Sequence, residues 1–230
     1  MTLAIHVARQ LWIQLRLLAL LALPTIAALT AVAVDGSVGS SAARLTLAVG
    51  LAVAAVLSAA LVGAGFTEEI SSGAAAWLVV RAVPRTALIG AWLALPALAV
   101  LSAFVLAGIL AGLALPSTLA QGPDPVSVAV TVVAAAAPAL PLTAVALAVA
   151  VDAPRRVTMA VIIGGAALLA VPLALLGDAA VHPASGYWLV AGLAPADRPI
   201  TVGLQAIGLC LALAALGWGV AALRFLRRDL

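Results

Sequence analysis

Apolar residues occupy long uninterrupted runs of the chain, and polar residues gather in the short segments between them. Six of these runs are long enough to cross a bilayer, because about 20 helical residues span the hydrocarbon core. The pattern predicts an all-α, polytopic membrane protein that forms a single domain over residues 1–230. The predicted spans are Leu17–Val34, Ala43–Phe66, Thr86–Leu115, Val126–Val151, Val157–Leu176 and Ile200–Leu223.

The segment before the first span has a different pattern. Residues 2–16 place apolar side chains, among them Trp12, at helical spacing, while His6 and Arg9 fall on another face. This arrangement predicts an amphipathic helix that lies in the headgroup layer. A cleaved signal peptide is the alternative, with residues 31–33 (Ala-Val-Ala) as its cleavage site.

Composition supports a membrane environment and excludes some chemistry. The chain is 66% hydrophobic and 8% charged, whereas a soluble domain is about half apolar and a quarter charged. All 11 basic residues are arginine, so the lysine of a phosphate-binding loop is missing and the chain does not hydrolyse ATP by that route. The net charge is only +3 and the arginines flank the spans, which argues against a nucleic-acid partner.

The distribution of arginine predicts the orientation of the chain. With both termini in the cytoplasm of a cell, nine arginines lie on the inner side and two, Arg44 and Arg198, on the outer side. Cytoplasmic loops are enriched in arginine, so we expect a plasma-membrane protein with cytoplasmic termini and an even number of spans. The inner arginines are Arg9, Arg16, Arg81, Arg85, Arg155, Arg156, Arg224, Arg227 and Arg228.

The predicted spans carry no Asp, Glu, Arg or His near their middle. Ion-coupled carriers usually keep such a residue at mid-membrane, and the two histidines, His6 and His182, fall on opposite sides. We therefore expect no catalytic residue, no metal site and no cofactor on this chain, which we interpret as a non-enzyme that receives energy from a cytosolic partner. Pro138 and Pro141 are candidate gating kinks, with an ordinary bent bundle as the alternative.

The segment Thr67–Arg85 differs from the other predicted loops. Glu68 and Glu69 open it, a short helix is predicted over Ala74–Val80, and Pro84 prevents that helix from continuing. A short helix between two spans, on the arginine-rich side, is suited to receive force from a soluble protein and pass it to both spans. We call the predicted element, near residues 69–82, the coupling helix.

These residues resemble the loop of the ABC-2 type transporter permeases. In that family an acid precedes a glycine by four residues, a Pro/Arg turn follows, and a second glycine begins the third span; Glu69, Gly73, Arg85 and Gly90 match these places. The C-terminal run Arg224–Leu230 is also similar to the family's ending. The chain departs from the family's pattern by having alanine at positions 74, 82 and 91.

The resemblance implies the membrane subunit of an ATP-driven exporter. Two permeases, either two copies of this chain or this chain and a homologue, would pair among membrane lipids above two cytosolic ABC ATPase subunits, which would bind ATP and Mg²⁺. The substrate would be hydrophobic or amphipathic. The residues implied at the interface with the ATPase are Glu68, Glu69, Gly73, Trp77, Arg81, Pro84 and Arg85.

Two other functions remain open from the sequence. One is a haem exporter B type permease of cytochrome c maturation, which has a similar length and six spans. The other is an ion-coupled carrier or an intramembrane enzyme. Neither alternative changes the expectation for the outer loop Gly177–Pro199, where Ser185–Ala194 is predicted to form a short helix and Tyr187 and Trp188 to lie at the membrane interface.

Overall fold

The computed structural model describes residues 16–74, 84–114, 125–152, 161, 182–192 and 199–227. Within these ranges all regular structure is helical, which confirms the predicted fold class at that level. The helices are α1 (Arg16–Ser37), α2 (Ser40–Ser71), α3 (Arg85–Ala114), α4 (Pro125–Ala136), α5 (Ala139–Asp152), α6 (Ser185–Ala191) and α7 (Pro199–Arg227).

Five helical stretches of the described chain are long and apolar enough to cross a membrane. They are Leu18–Ser37, Ser40–Ser71, Arg85–Ala111, Val126–Asp152 and Ile200–Arg227. Each one overlaps a span predicted from the sequence. The amphipathic helix predicted before Arg16, the short helix at 74–80 and the span at 157–176 lie outside the described residues, apart from Ala74 and the buried Val161.

The bundle is organised around the α4–α5 stretch, which is the most deeply buried of the five. Helix α5 packs against α2 and α7, α4 packs against α3, α6 and α7, and the α1–α2 hairpin packs along the side. Alanine dominates the core, with Phe66, Trp92, Phe104 and Phe225 as its largest fully buried rings. Small residues of this kind let membrane helices approach closely.

Proline breaks the central stretch into two helices. Because Pro138 has no N–H, the carbonyl of Ala134 has no donor four residues on, and α4 ends at Ala136. Leu140 N instead donates to the carbonyl of Ala137 at 3.0 Å, and α5 begins at Ala139. Pro141 falls in the first turn of α5, where proline is tolerated. A break therefore exists at Pro138, whereas Pro141 helps to start a helix.

Exposed leucine, isoleucine and valine side chains cover the outside of the bundle, particularly along α1 and α7. A soluble protein rarely exposes apolar residues in such continuous bands. In a membrane these side chains meet lipid tails, which is the environment that the hydropathy of the helices favours. The described surface is therefore compatible with a multi-pass membrane protein.

Candidate functional site

Ion pairs and arginine hydrogen bonds bring five helix ends together at one end of the bundle. At this end α1 and α3 begin, and α2, α5 and α7 finish. We call it the arginine end, since Arg16, Arg85, Arg224 and Arg227 all lie there. Among the described residues, the only arginine outside it is Arg44, near the start of α2.

The first link joins α1 to α2. Arg16 Nη2 lies 2.8 Å from Glu68 Oε2, and the Glu68 side chain is about half exposed. Glu68 and Glu69 sit in the last turn of α2, where the helix dipole disfavours a negative charge. The ion pair with Arg16 offsets this disadvantage for Glu68. Both acids were predicted to begin the loop, but they belong to α2, which continues to Ser71. Residues 69–71, which were assigned to the predicted coupling helix, are therefore part of α2.

Glu69 occupies a different environment from Glu68. It is only 4% exposed and lies among the core-facing residues of α2. Of the two acids, Glu68 is therefore the one that solvent reaches, while the Glu69 side chain lies inside the protein.

The α2 end is closed by serines and a glycine. Ser71 Oγ donates to the carbonyl of Glu68 and Ser72 Oγ to that of Glu69, each at 3.2 Å. Gly73 then adopts a left-handed φ of 75°, a conformation that other residues enter at a cost of about 1–2 kcal/mol. A glycine at position 73 is therefore explained by local structure, because its left-handed conformation turns the chain away from the axis of α2.

The second link joins α3 to α7. Arg85 is the first residue of α3, and its Nη1 donates to the backbone carbonyls of Leu226 at 3.2 Å and Phe225 at 3.5 Å. These carbonyls belong to the last turn of α7, whose partial negative charge attracts a cation. Pro84 precedes α3 and accepts hydrogen bonds from Ala87 N and Leu88 N. Arg85 thus fastens the start of α3 to the end of α7.

Aromatic rings reinforce the same junction just inside the arginine end. Phe66 of α2 meets Trp92 of α3 edge-to-face at a centroid distance of 5.6 Å, and it meets Phe225 of α7 at 5.8 Å. All three side chains are at most 1% exposed. Buried aromatic contacts of this kind add about 0.5–1.5 kcal/mol per pair beyond their area. Sequence reasoning missed this cluster, although the position of Phe66 and Phe225 near span ends was a usable signal.

The third link joins α5 to α7. Arg224 Nη1 lies 3.1 Å from Asp152 Oδ2 and donates to the carbonyl of Ala148 at 3.4 Å. Both charged side chains are about half exposed, so the pair is worth little in stability and more in orientation. Of the residues predicted for the partner interface, the structure brings Glu68, Glu69, Gly73, Pro84 and Arg85 to this end, while Trp77 and Arg81 lie outside the described residues.

Away from the arginine end, α6 penetrates the bundle. Gly186 packs against the backbone of Ala134 and Ala135, and Cys210 Sγ donates to the carbonyl of Pro183 at 3.6 Å. Cys210 lies about 16 Å along α7 from Pro199, at 1.5 Å per residue. The start of α6 is therefore deep in the bundle. Tyr187 is 3% exposed and belongs to the buried core, and Trp188 is partly buried against that core; the predicted position of both residues at the membrane interface stays a prediction.

Helix α6 covers the break in the central stretch. The Ala134 carbonyl, which lost its helical donor to Pro138, faces the Cα of Gly186. Inside a membrane protein, a carbonyl that lacks its helical donor is tolerated only where protein or water shelters it. The helix is shorter than predicted, because Gly192 in a left-handed conformation (φ 72°) ends it after Ala191. His182 stays close to α6, its Nδ1 accepting from Ala184 N at 3.1 Å.

No group of three or more His, Cys, Asp or Glu side chains that could hold a metal occurs among the residues that the structure describes. At the arginine end, ion pairs, arginine hydrogen bonds and aromatic contacts connect the ends of neighbouring helices. Comparison with models of known protein families, with curated proteins and with solved structures finds no match to this chain.

Proposed function

We propose that the chain is the permease subunit of an ABC-2 type exporter, which moves a hydrophobic or amphipathic substrate outward with energy from a separate ATPase. The observation that carries the proposal is the location of the α2–α3 connection. Both of its described flanks, Glu68 on α2 and Arg85 on α3, are tied by arginine contacts to other helices, α1 and α7 respectively. A displacement of that connection would consequently be felt across the bundle.

The proposal includes six spans with both termini in the cytoplasm. Asp152 contacts Arg224 near the end of α7, whereas Pro199 begins the same 29-residue helix and so lies about 38 Å from Arg224 along its axis. The chain between 152 and 199 must then pass from one end of the bundle to the other. The apolar run Val157–Leu176 supplies that crossing, and the arginine end faces the cytoplasm.

The mechanism couples rigid elements. ATP and Mg²⁺ bind the partner ATPase, and closure of its dimer pushes the segment between Gly73 and Pro84, where Trp77 and Arg81 provide an apolar and a cationic contact. Glu68 is the acid that the ATPase can contact, and the buried Glu69 holds the end of α2 in position. Because α3 and α7 are joined through Arg85, the push moves both helices.

We propose that the central stretch bends at the Pro138 break when α3 and α7 move. Helix α5 is linked to α7 by the Asp152–Arg224 pair, and α4 is separated from α5 at the turn Ala137–Pro138. A helix with a preformed break can bend there with little loss of hydrogen bonds. Rotation of α5 against α4 would then open the path between two permease copies.

The direct test is association with an ATPase. An affinity-tagged full-length chain, purified in mild detergent from its own cells, is expected to retain an exporter-type ATPase. Arg81→Glu and Trp77→Ala should release that ATPase and abolish stimulation of ATP hydrolysis. Arg44→Gln, a change of charge at the opposite end, is the matched control and should retain the ATPase.

Two results would contradict the proposal. One is purification of an intact chain that never retains an ATPase while all three variants behave alike. The other is transport by the chain alone in liposomes when a proton or sodium gradient is applied, which would favour an ion-coupled carrier.

A further inference from the structure

An open pocket lies between the ends of α5 and α7 at the arginine end. Its volume is about 440 Å³, and its lining comprises Val151, Asp152, Arg224 and Arg227. Pockets of 300–1,000 Å³ are typical of sites for small molecules and headgroups. Two guanidinium groups and one carboxylate give the described lining a positive balance, which favours an anion.

Among the described residues that line the pocket, one of the two arginines is paired with the carboxylate. Asp152 is paired with Arg224 at 3.1 Å, and Arg85 already covers the last carbonyls of α7. The negative end of the helix dipole is thus engaged by another cation. Arg227 is exposed in the last described turn of α7. It lines the pocket beside the Asp152–Arg224 pair and gives the pocket a second cation.

An apolar stripe leads away from Arg227 along the outside of α7. Leu216, Val220 and Leu223 are 67%, 43% and 57% exposed, and they precede Arg227 at spacings that place all four residues on one helix face. From Leu216 to Arg227 the stripe is about 16 Å long. This length equals about one leaflet of a bilayer whose hydrocarbon core is about 30 Å thick.

We propose that this surface binds an anionic phospholipid, with its phosphate in the pocket beside Arg227 and Arg224 and an acyl chain along the α7 stripe. A molecule with an anionic head and a long apolar tail covers both features at once. A soluble acidic peptide would fill the pocket and leave the stripe bare. The site is independent of the proposed transport function, since it requires only that the bundle lies in a membrane.

The test uses the full-length chain, delipidated in detergent, with native mass spectrometry to measure lipid binding. Dioleoyl phosphatidylglycerol should bind more tightly than dioleoyl phosphatidylcholine. Arg227→Gln should weaken phosphatidylglycerol binding about fivefold, the effect of removing one interfacial arginine. Arg227→Lys keeps the charge and should retain most of the affinity. Arg44→Gln removes the same charge at the other end of the bundle and should leave the affinity unchanged.

Several outcomes would overturn the site. Equal affinity for the two lipids would show an apolar contact without headgroup recognition. Complete displacement of phosphatidylglycerol by millimolar inorganic phosphate would assign the pocket to a free anion. Equal losses in Arg227→Gln and Arg44→Gln would indicate a general charge effect. Unchanged lipid affinity in Arg227→Gln, combined with loss of a co-purifying protein, would assign the pocket to a protein partner.

Discussion

The contact between α6 and the broken central stretch predicts a large effect from one methyl group. In Gly186→Ala the new Cβ would overlap the backbone carbonyl of Ala134 and come within 2.7 Å of Ala135 N. Backbone atoms on a packed helix cannot move aside as a flexible side chain does. Overpacking of this kind costs about 1–3 kcal/mol, and the upper part of that range applies here because the obstacle is main chain.

Helix α7 offers a matched control. A Cβ added to Gly208 meets nothing within 4 Å, and replacing a glycine inside a helix by alanine stabilises it by about 0.5–1 kcal/mol. The two variants should therefore differ by about 3 kcal/mol in free energy of unfolding. At about 2–4 °C per kcal/mol for a chain of this size, Gly186→Ala should melt about 6–12 °C below Gly208→Ala.

The assay is thermal unfolding of the two purified variants in the same detergent, followed by circular dichroism at one scan rate. The wild-type chain should melt between them. If Gly186→Ala is as stable as Gly208→Ala, then α6 does not pack on the α4–α5 break, and the argument that it shelters the Ala134 carbonyl is wrong.

Three further predictions concern the described contacts. Replacing Arg16 and Glu68 by glutamine, singly and together, should give a coupling of only about 0.5 kcal/mol in a double-mutant cycle, because solvent reaches the half-exposed Glu68 carboxylate and screens the pair; a coupling above about 2 kcal/mol would contradict this. Trp92→Ala should destabilise the chain by about 3–5 kcal/mol in thermal unfolding, since a buried ring that contacts Phe66 is lost, whereas a loss below about 1 kcal/mol would show that the junction is loosely packed. Cys210, the single thiol of the chain, is buried and should resist a membrane-permeable maleimide until the protein is unfolded in SDS; rapid labelling of the native protein would place it on a surface.

The positions of the long helices could be predicted because each one is a continuous apolar run. The predicted span Val126–Val151 and the observed stretch Val126–Asp152 are nearly identical, and the mean hydropathy of the chain, +1.30, already favoured a membrane. The end of α2 was less predictable. Glu68 and Glu69 are polar and resemble a loop in a hydropathy reading, but Arg16 and the serine caps let the helix continue through Ser71.

The contents of the candidate site were predictable only in part. Arg85 and Pro84 were identified from local spacing, but the partner of Arg85 is the carbonyl end of α7, some 140 residues later in sequence, and no local pattern specifies that meeting. The burial of Tyr187 was not predicted, for a related reason. Tyr187-Trp188 is typical of an interface, yet Gly186 allows the close approach that carries Tyr187 into the core.

The missing hydrogen bond at Pro138 has a consequence for how the bundle can move. While α6 is in place, the Ala134 oxygen, which lacks its helical donor, is covered by Gly186. If α6 withdrew into the lipid, that oxygen would be exposed to hydrocarbon, at a penalty of several kcal/mol. Water entering behind the departing helix would remove the penalty. Hydration of the bundle interior and displacement of α6 should therefore occur together, so that any open conformation of this protein contains water in its interior.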